Sequence, residues 1–95
     1  MRFTQTEENY IKTIFHLQHQ HGKVGTSLLS ETMKLKPASV TDMLKKLELK
    51  KTLHYQKYHG FELTEGGNRK ALNIIRKHRL WEFFLVEKLG FHWDE

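Results

Sequence analysis

Apolar residues recur at helical spacing from Tyr10 through Ile11, Ile14, Phe15 and Leu17, which predicts a first helix from about Thr6 to Gln20. Thr4 and Thr6 both offer an N-cap, Glu7 and Glu8 suit the positive end of the helix dipole, and Gly22 ends the run. Lys23-Val24-Gly25 leaves room for a token strand only. Thr26 is expected to cap a second helix reaching about Met33, with Leu28, Leu29 and Met33 inward. Lys34-Leu35-Lys36 then turns the chain into KPASVTDMLKKLE, where Val40, Met43, Leu44 and Leu47 form an apolar stripe and Pro37 fits the first helical turn. After Lys51 the period changes. Leu53, Tyr55 and Lys57 alternate, and Phe61-Glu62-Leu63 follows Gly60, which reads as a β-hairpin. Thr64 caps a last helix, whose early Gly66 and Gly67 cost about 1 kcal/mol each against alanine and predict a loose start. From Ala71 to Leu89 the pattern is helical again, and its second half, LWEFFLVEKL, is apolar nearly all round. Such a face needs cover from a second copy, further polypeptide, or both. Aromatic residues in the closing GFHWDE point to a docked segment that continues, so a fragment or a short version of a longer protein is expected.

The polar side of the third helix carries the chemistry. Ala38, Asp42 and Lys45 lie opposite the apolar stripe, flanked by Ser39, Thr41 and Lys46. Side chains are short at the N-terminal end and cationic further along. A helix entering a DNA major groove needs short residues near base edges and lysines near phosphates. An ordinary amphipathic helix with a solvated polar face satisfies the same pattern. Two short helices joined by a tight turn form a helix-turn-helix, although this turn lacks the glycine common there. A hairpin directly after such a motif is a wing. Its tip holds Lys57, Tyr58 and His59, placed to lie along the sugar–phosphate backbone or the minor groove, unless the hairpin merely covers the core.

Length and charge narrow the choice. The 95 residues suffice for one modest core. The net charge of +5 favours a polyanionic partner. The absence of cysteine excludes disulfides and thiolate metal sites and fits a reducing, cytoplasmic setting. No apolar run at the N-terminus reads as a signal peptide or a membrane span. His16, His19 and His21 crowd the end of the first helix; they have zinc-ligand spacing, and equally suit a solvated helix C-terminus. His78 and Glu82 stand four apart and could share one divalent ion or simply hydrogen-bond. No nucleophile–base–orienter set can be placed on neighbouring elements, so an enzyme is not expected.

Four segments, TEENYIKTIFHL, KPASVTDMLKKLE, YQKYHGFELTEGG and IIRKHRLWEFFLVEKLGFHWDE, occur in the order found in the diphtheria-toxin-repressor family of metal-dependent repressors. The chain resembles the N-terminal part of that family, in particular its manganese-responsive branch. The resemblance implies a mainly α fold with a small β-hairpin, namely a winged helix-turn-helix over 1–72 and the start of the dimerisation helices over 73–95. It implies a homodimer that binds palindromic double-stranded operator DNA with Mn(II) or Fe(II) as co-repressor. Pro37–Leu49 is then the reading helix, with Lys36, Ala38, Ser39, Thr41 and Asp42 nearest the groove. Lys45, Lys46, Thr26 and Ser27 are phosphate candidates, and Lys57 and His59 are wing candidates, His59 standing where the family commonly has arginine. Leu80, Trp81, Phe83, Phe84, Leu85 and Val86 fall at the start of the dimer or docking surface. His78 and Glu82 match metal-ligating positions. Asn9 and Lys12, however, stand where the manganese branch has two carboxylates, and the remaining ligands lie beyond residue 95, so the site is incomplete in this chain. The competing reading is a winged-helix protein-interaction module that does not touch DNA.

Overall fold

The computed structural model describes residues 2–56 and 60–84, with the side chains of 80–84 excepted. The elements are α1 (Gln5–His21), α2 (Thr26–Met33), α3 (Pro37–Leu49), β1 (Leu53–Gln56), β2 (Gly60–Leu63) and α4 (Glu65–Phe84). The strands pair antiparallel, with Leu53 opposite Leu63, His54 opposite Glu62 and Tyr55 opposite Phe61. This is the expected mainly α winged helix-turn-helix with a long following helix. The expected continuation of α4 to Leu89 lies outside the described residues.

The helical stripes meet in one core. Tyr10, Ile11, Ile14 and Leu17 of α1 pack with Leu29 of α2 and with Val40, Leu44 and Leu47 of α3. Leu53 and Leu63 close it from the hairpin, and Ala71 and Ile74 from α4. Val24 makes the token strand: Phe61 N–H donates to its carbonyl at 2.8 Å, which seats the wing on the helices.

Caps account for the helix starts. Thr4, not Thr6, caps α1. Its hydroxyl accepts from Glu7 N–H while the Glu7 carboxylate accepts from Thr4 N–H, a reciprocal capping box. Glu7 is buried and also accepts from Lys50 Nζ at 2.8 Å. The Lys50 ammonium, then the Thr4 amide, holds the Glu7 carboxyl below its ordinary value of 4.5. Lys50 and Lys70 both lie over the Phe3 ring, pinning the segment ahead of α1.

Two expectations are corrected. Thr26 does not cap α2; it is the first helical residue, and Gly25 takes the cap position in extended conformation without a side-chain hydrogen bond. The bridge at Val24 fixes where the chain enters, one residue earlier than composition suggested. The start of α4 is not loose either. Thr64 Oγ1 accepts from Gly67 N–H at 3.0 Å. Gly67 is buried against Thr52, just ahead of β1, where a Cβ would overlap the Thr52 carbonyl oxygen and stand 3.1 Å from Leu63 Cδ2 of β2. The glycine is there for close approach, not for freedom. The turn between α2 and α3 manages without glycine because Lys34 itself adopts the left-handed conformation, at φ 57 and ψ 46, a cost of about 1–2 kcal/mol.

Candidate nucleic-acid interface

α3 shows its polar side to solvent along its length. Ala38, Ser39, Thr41, Asp42, Lys45 and Lys46 are all exposed, as is Lys36 at the N-cap, while Val40, Leu44 and Leu47 hold the opposite side in the core. The ion pairs among the described residues are Lys50–Glu7, His54–Glu62, Arg69–Glu65 and Lys70–Glu8. All lie off this face, so among the described residues its two lysines and Asp42 have no ion-pair partner.

The helix starts add a second feature. α1 and α4 begin with threonine side-chain caps, whereas α2 and α3 have none. In α3, Pro37 contributes no N–H, and the first amide with a helical acceptor is that of Val40, to Lys36 O at 3.1 Å. In α2 it is that of Leu29, to Gly25 O. Amides ahead of these point out of the helix-turn-helix at the positive ends of two helix dipoles, an arrangement suited to phosphate. Ser27 is exposed there and Thr26 half-buried. On the wing, Tyr55 is exposed and packs edge-on against Phe61, with ring centroids 5.3 Å apart. Lys57 and His59 lie outside the described residues.

The junction of α1 with α4 holds what the sequence left open. His78 Nδ1 lies 3.3 Å from Lys12 Nζ. An ammonium has only protons to give, so Nδ1 is the acceptor and its lone pair is engaged. His16 and Arg79 line the same groove with Ile75. Lys12 and His16, one turn apart on α1, thus face His78 and Arg79, one residue apart on α4. Among the described residues no group of three or more histidine, aspartate or glutamate side chains could hold a metal ion. His19 Nδ1 bonds to the Phe15 carbonyl at 2.9 Å, and His19 and His21 are exposed. Among the described residues, the donors around His78 do not fit a divalent cation. With the ammonium in place, an ion about 4 Å away meets repulsion on the order of 8 kcal/mol at an effective dielectric of about 20. Glu82 stands one turn beyond His78, with its side chain outside the described residues.

Comparison with known proteins settles the kinship. The family described as iron dependent repressor, N-terminal DNA binding domain, matches residues 2–61. The family described as iron dependent repressor, metal binding and dimerisation domain, matches residues 64–95. The chain belongs to the iron-dependent repressor family. The HTH-type transcriptional regulator MntR of Oceanobacillus iheyensis is 37% identical over 82 residues, covering 86% of this chain and 56% of the relative. MntR of Bacillus subtilis is 35% identical over 82 residues, covering 86% and 58%. Among solved structures, the manganese regulator SloR superposes with a TM-score of 0.81 at 34% identity, covering 98% of this chain and 43% of that one. The metal-dependent transcriptional regulator MtsR gives a TM-score of 0.84 at 31% identity, covering 90% and 40%. The chain thus spans little more than half the length of these MntR relatives.

Within this member of the family, the residues picked from the sequence divide sharply. Those on α3 are brought together on one exposed face. His78 is half-buried at the α1–α4 junction, and Asn9 is exposed on α1, where its Oδ1 accepts from Gln5 Nε2 at 3.2 Å. The family resemblance puts Lys12 at the same site as His78, whereas the sequence reading missed His16 as a neighbour of that groove. The available signal was their spacing: Lys12 and His16 share a face with the half-buried Glu8, on the side of α1 that packs on α4. Leu80, Trp81, Phe83 and Phe84 fall on the last turn and a half of α4, their side chains outside the described residues, as are Leu85 and Val86 entirely.

Proposed function

We propose that the protein is a transcriptional repressor that holds palindromic operator DNA as a homodimer, with α3 in the major groove of each half-site. The observation that carries this is the outer face of α3, exposed and, among the described residues, free of ion pairs, on a chain of net charge +5. Ala38 and Ser39 are short enough for the backbone to approach base edges, and Thr41 adds a hydroxyl. Asp42 accepts from a cytosine amino group. Lys36, Lys45 and Lys46 meet phosphates, joined by Thr26 and Ser27 at the start of α2 and by Lys57 and His59 on the wing. The DNA-binding unit is 1–72, and 73–95 begins the dimerisation helices, where Leu80, Trp81, Phe83, Phe84, Leu85 and Val86 supply apolar surface. The family is described as metal binding, and His78 and Glu82 are the candidates α4 has for Mn(II) or Fe(II), but the Lys12 ammonium beside His78 opposes a divalent ion at that junction. An operator target places the protein in the cytoplasm, and no catalytic role is assigned. MntR, SloR and MtsR are named as regulators, two of them for manganese or metal dependence, which supports the same reading.

The test is a titration of the chain against fluorescent duplexes carrying candidate palindromes and their scrambled counterparts, at several salt concentrations. Preference for one palindrome over its scramble, with log Kd rising linearly with log salt, is expected. No binding even at low salt would move the α3 face from DNA to a protein partner.

A further inference from the structure

We propose that the Lys12 ammonium is the fixed cation that ties α1 to α4, standing in for a divalent ion at that junction. The proposal rests on the family reading of His78 as a metal position. Its decisive arm, however, does not depend on DNA binding. Three observations carry it. Lys12 is half-buried, and its Nζ sits 3.3 Å from His78 Nδ1, so it joins residues 66 apart in the chain. Among the described residues, the other polar groups lining that groove are His16 and Arg79, nitrogen groups with no carboxylate between them. The neighbouring carboxylate of α1, Glu8, is already paired with Lys70 of α4 at 3.5 Å. The two helices are therefore joined twice by lysine, once in each direction: Lys70 reaches from α4 to Glu8, and Lys12 from α1 to His78.

The consequence is a change of control. Where an ion closes such a junction, closure follows the free concentration of that ion. A lysine is always present, so α1 stays docked on α4 and the reading helix stays seated with or without metal. Lys12 is thus a positioning residue: it touches neither DNA nor an ion, and acts by holding α1.

The test uses thermal unfolding of the 95-residue chain in chelator and in millimolar Mn(II). Wild type is expected to unfold at the same temperature in both, within about 1 °C. Lys12→Met, which keeps the aliphatic stem and removes the charge, is expected to lower Tm by about 4 °C, and Mn(II) should not restore it. Lys12→Arg keeps a cation and should recover most of the loss. In a double-mutant cycle with His78→Ala, the two losses should not add. Duplex binding by wild type should match within twofold in chelator and in Mn(II). The proposal is overturned by a rise of several degrees in wild-type Tm with Mn(II), by a tenfold gain in DNA affinity with Mn(II), or by a Lys12→Met variant as stable as wild type. Absence of DNA binding in every condition would count against the operator reading alone, leaving the unfolding temperatures to decide the role of Lys12.

Discussion

Asp42 and Lys45 lie one turn apart on the same exposed face of α3, yet DNA should meet them differently. A lysine on a phosphate senses charge but not sequence. Lys45→Ala is therefore expected to weaken operator and random duplexes alike and to reduce the slope of log K against log salt by about one. A carboxylate near base edges repels the backbone and accepts only from particular bases. Asp42→Ala should change which palindrome is preferred, by about 1–3 kcal/mol at one base pair; equal losses on operator and scrambled DNA would refute that role. Glu7 illustrates a residue that serves the fold alone. Its carboxyl titrates lower in the folded chain than in the unfolded one. Its contribution to stability is thus complete above about pH 4.5 and disappears as pH falls through the lower, folded value. Unfolding curves from pH 6 to pH 3 should show this loss in wild type and a shallower one in Glu7→Gln, which is already less stable at pH 6. No periodicity relates Lys12 to His78, on helices so far apart in the chain; only the family resemblance puts them at one site, and their hydrogen bond has no signal in the sequence.

Helices were legible where their own turns supply the information. The stripe of α3 and its Pro37 gave its bounds, and the capping residues ahead of α1 gave its start to within a residue or so. Reading failed where a neighbour decides. Gly67 reads as a helix weakener by propensity alone, but it lies on the Thr52 carbonyl. Gly67→Ala gains about 1 kcal/mol in helix propensity and meets a backbone atom that cannot rotate away. Overpacking costs about 1–3 kcal/mol and occasionally more, so the variant should lose stability, visible as a fall in Tm of several degrees; a rise would show that the hairpin and α4 can part there. Thr26 failed as a cap for the same kind of reason, since the bridge from Val24 to the wing sets the entry to α2.

Across the whole molecule, sequence and structure agree on the division of labour. The core draws on every element described, and α1 lies centrally, packed on α4 and on the hairpin. The polar face of α3 is left for a partner. The candidate DNA face was legible because it lies on one helix, where spacing dictates orientation. The junction at His78 was only half legible because two helices build it. Among the described residues no helix is long and apolar enough to cross a membrane, and residues 64–95 match a family described as a metal binding and dimerisation domain.

The uneven capping of the helices has a further consequence, for hydrogen exchange. The amides of Thr4 and Glu7 at the start of α1 are closed by the capping box and should exchange slowly whatever the protein binds. Those of Ser27 and Leu28 in α2 and of Ala38 and Ser39 in α3 precede the first internal hydrogen bonds and should exchange quickly in the free chain. A duplex whose phosphates accept from them would slow all four together. Deuterium uptake would then outline the bound strands on two helix starts, even in a Lys45→Ala variant, because the backbone, unlike the side chains, keeps its donors through every substitution but proline.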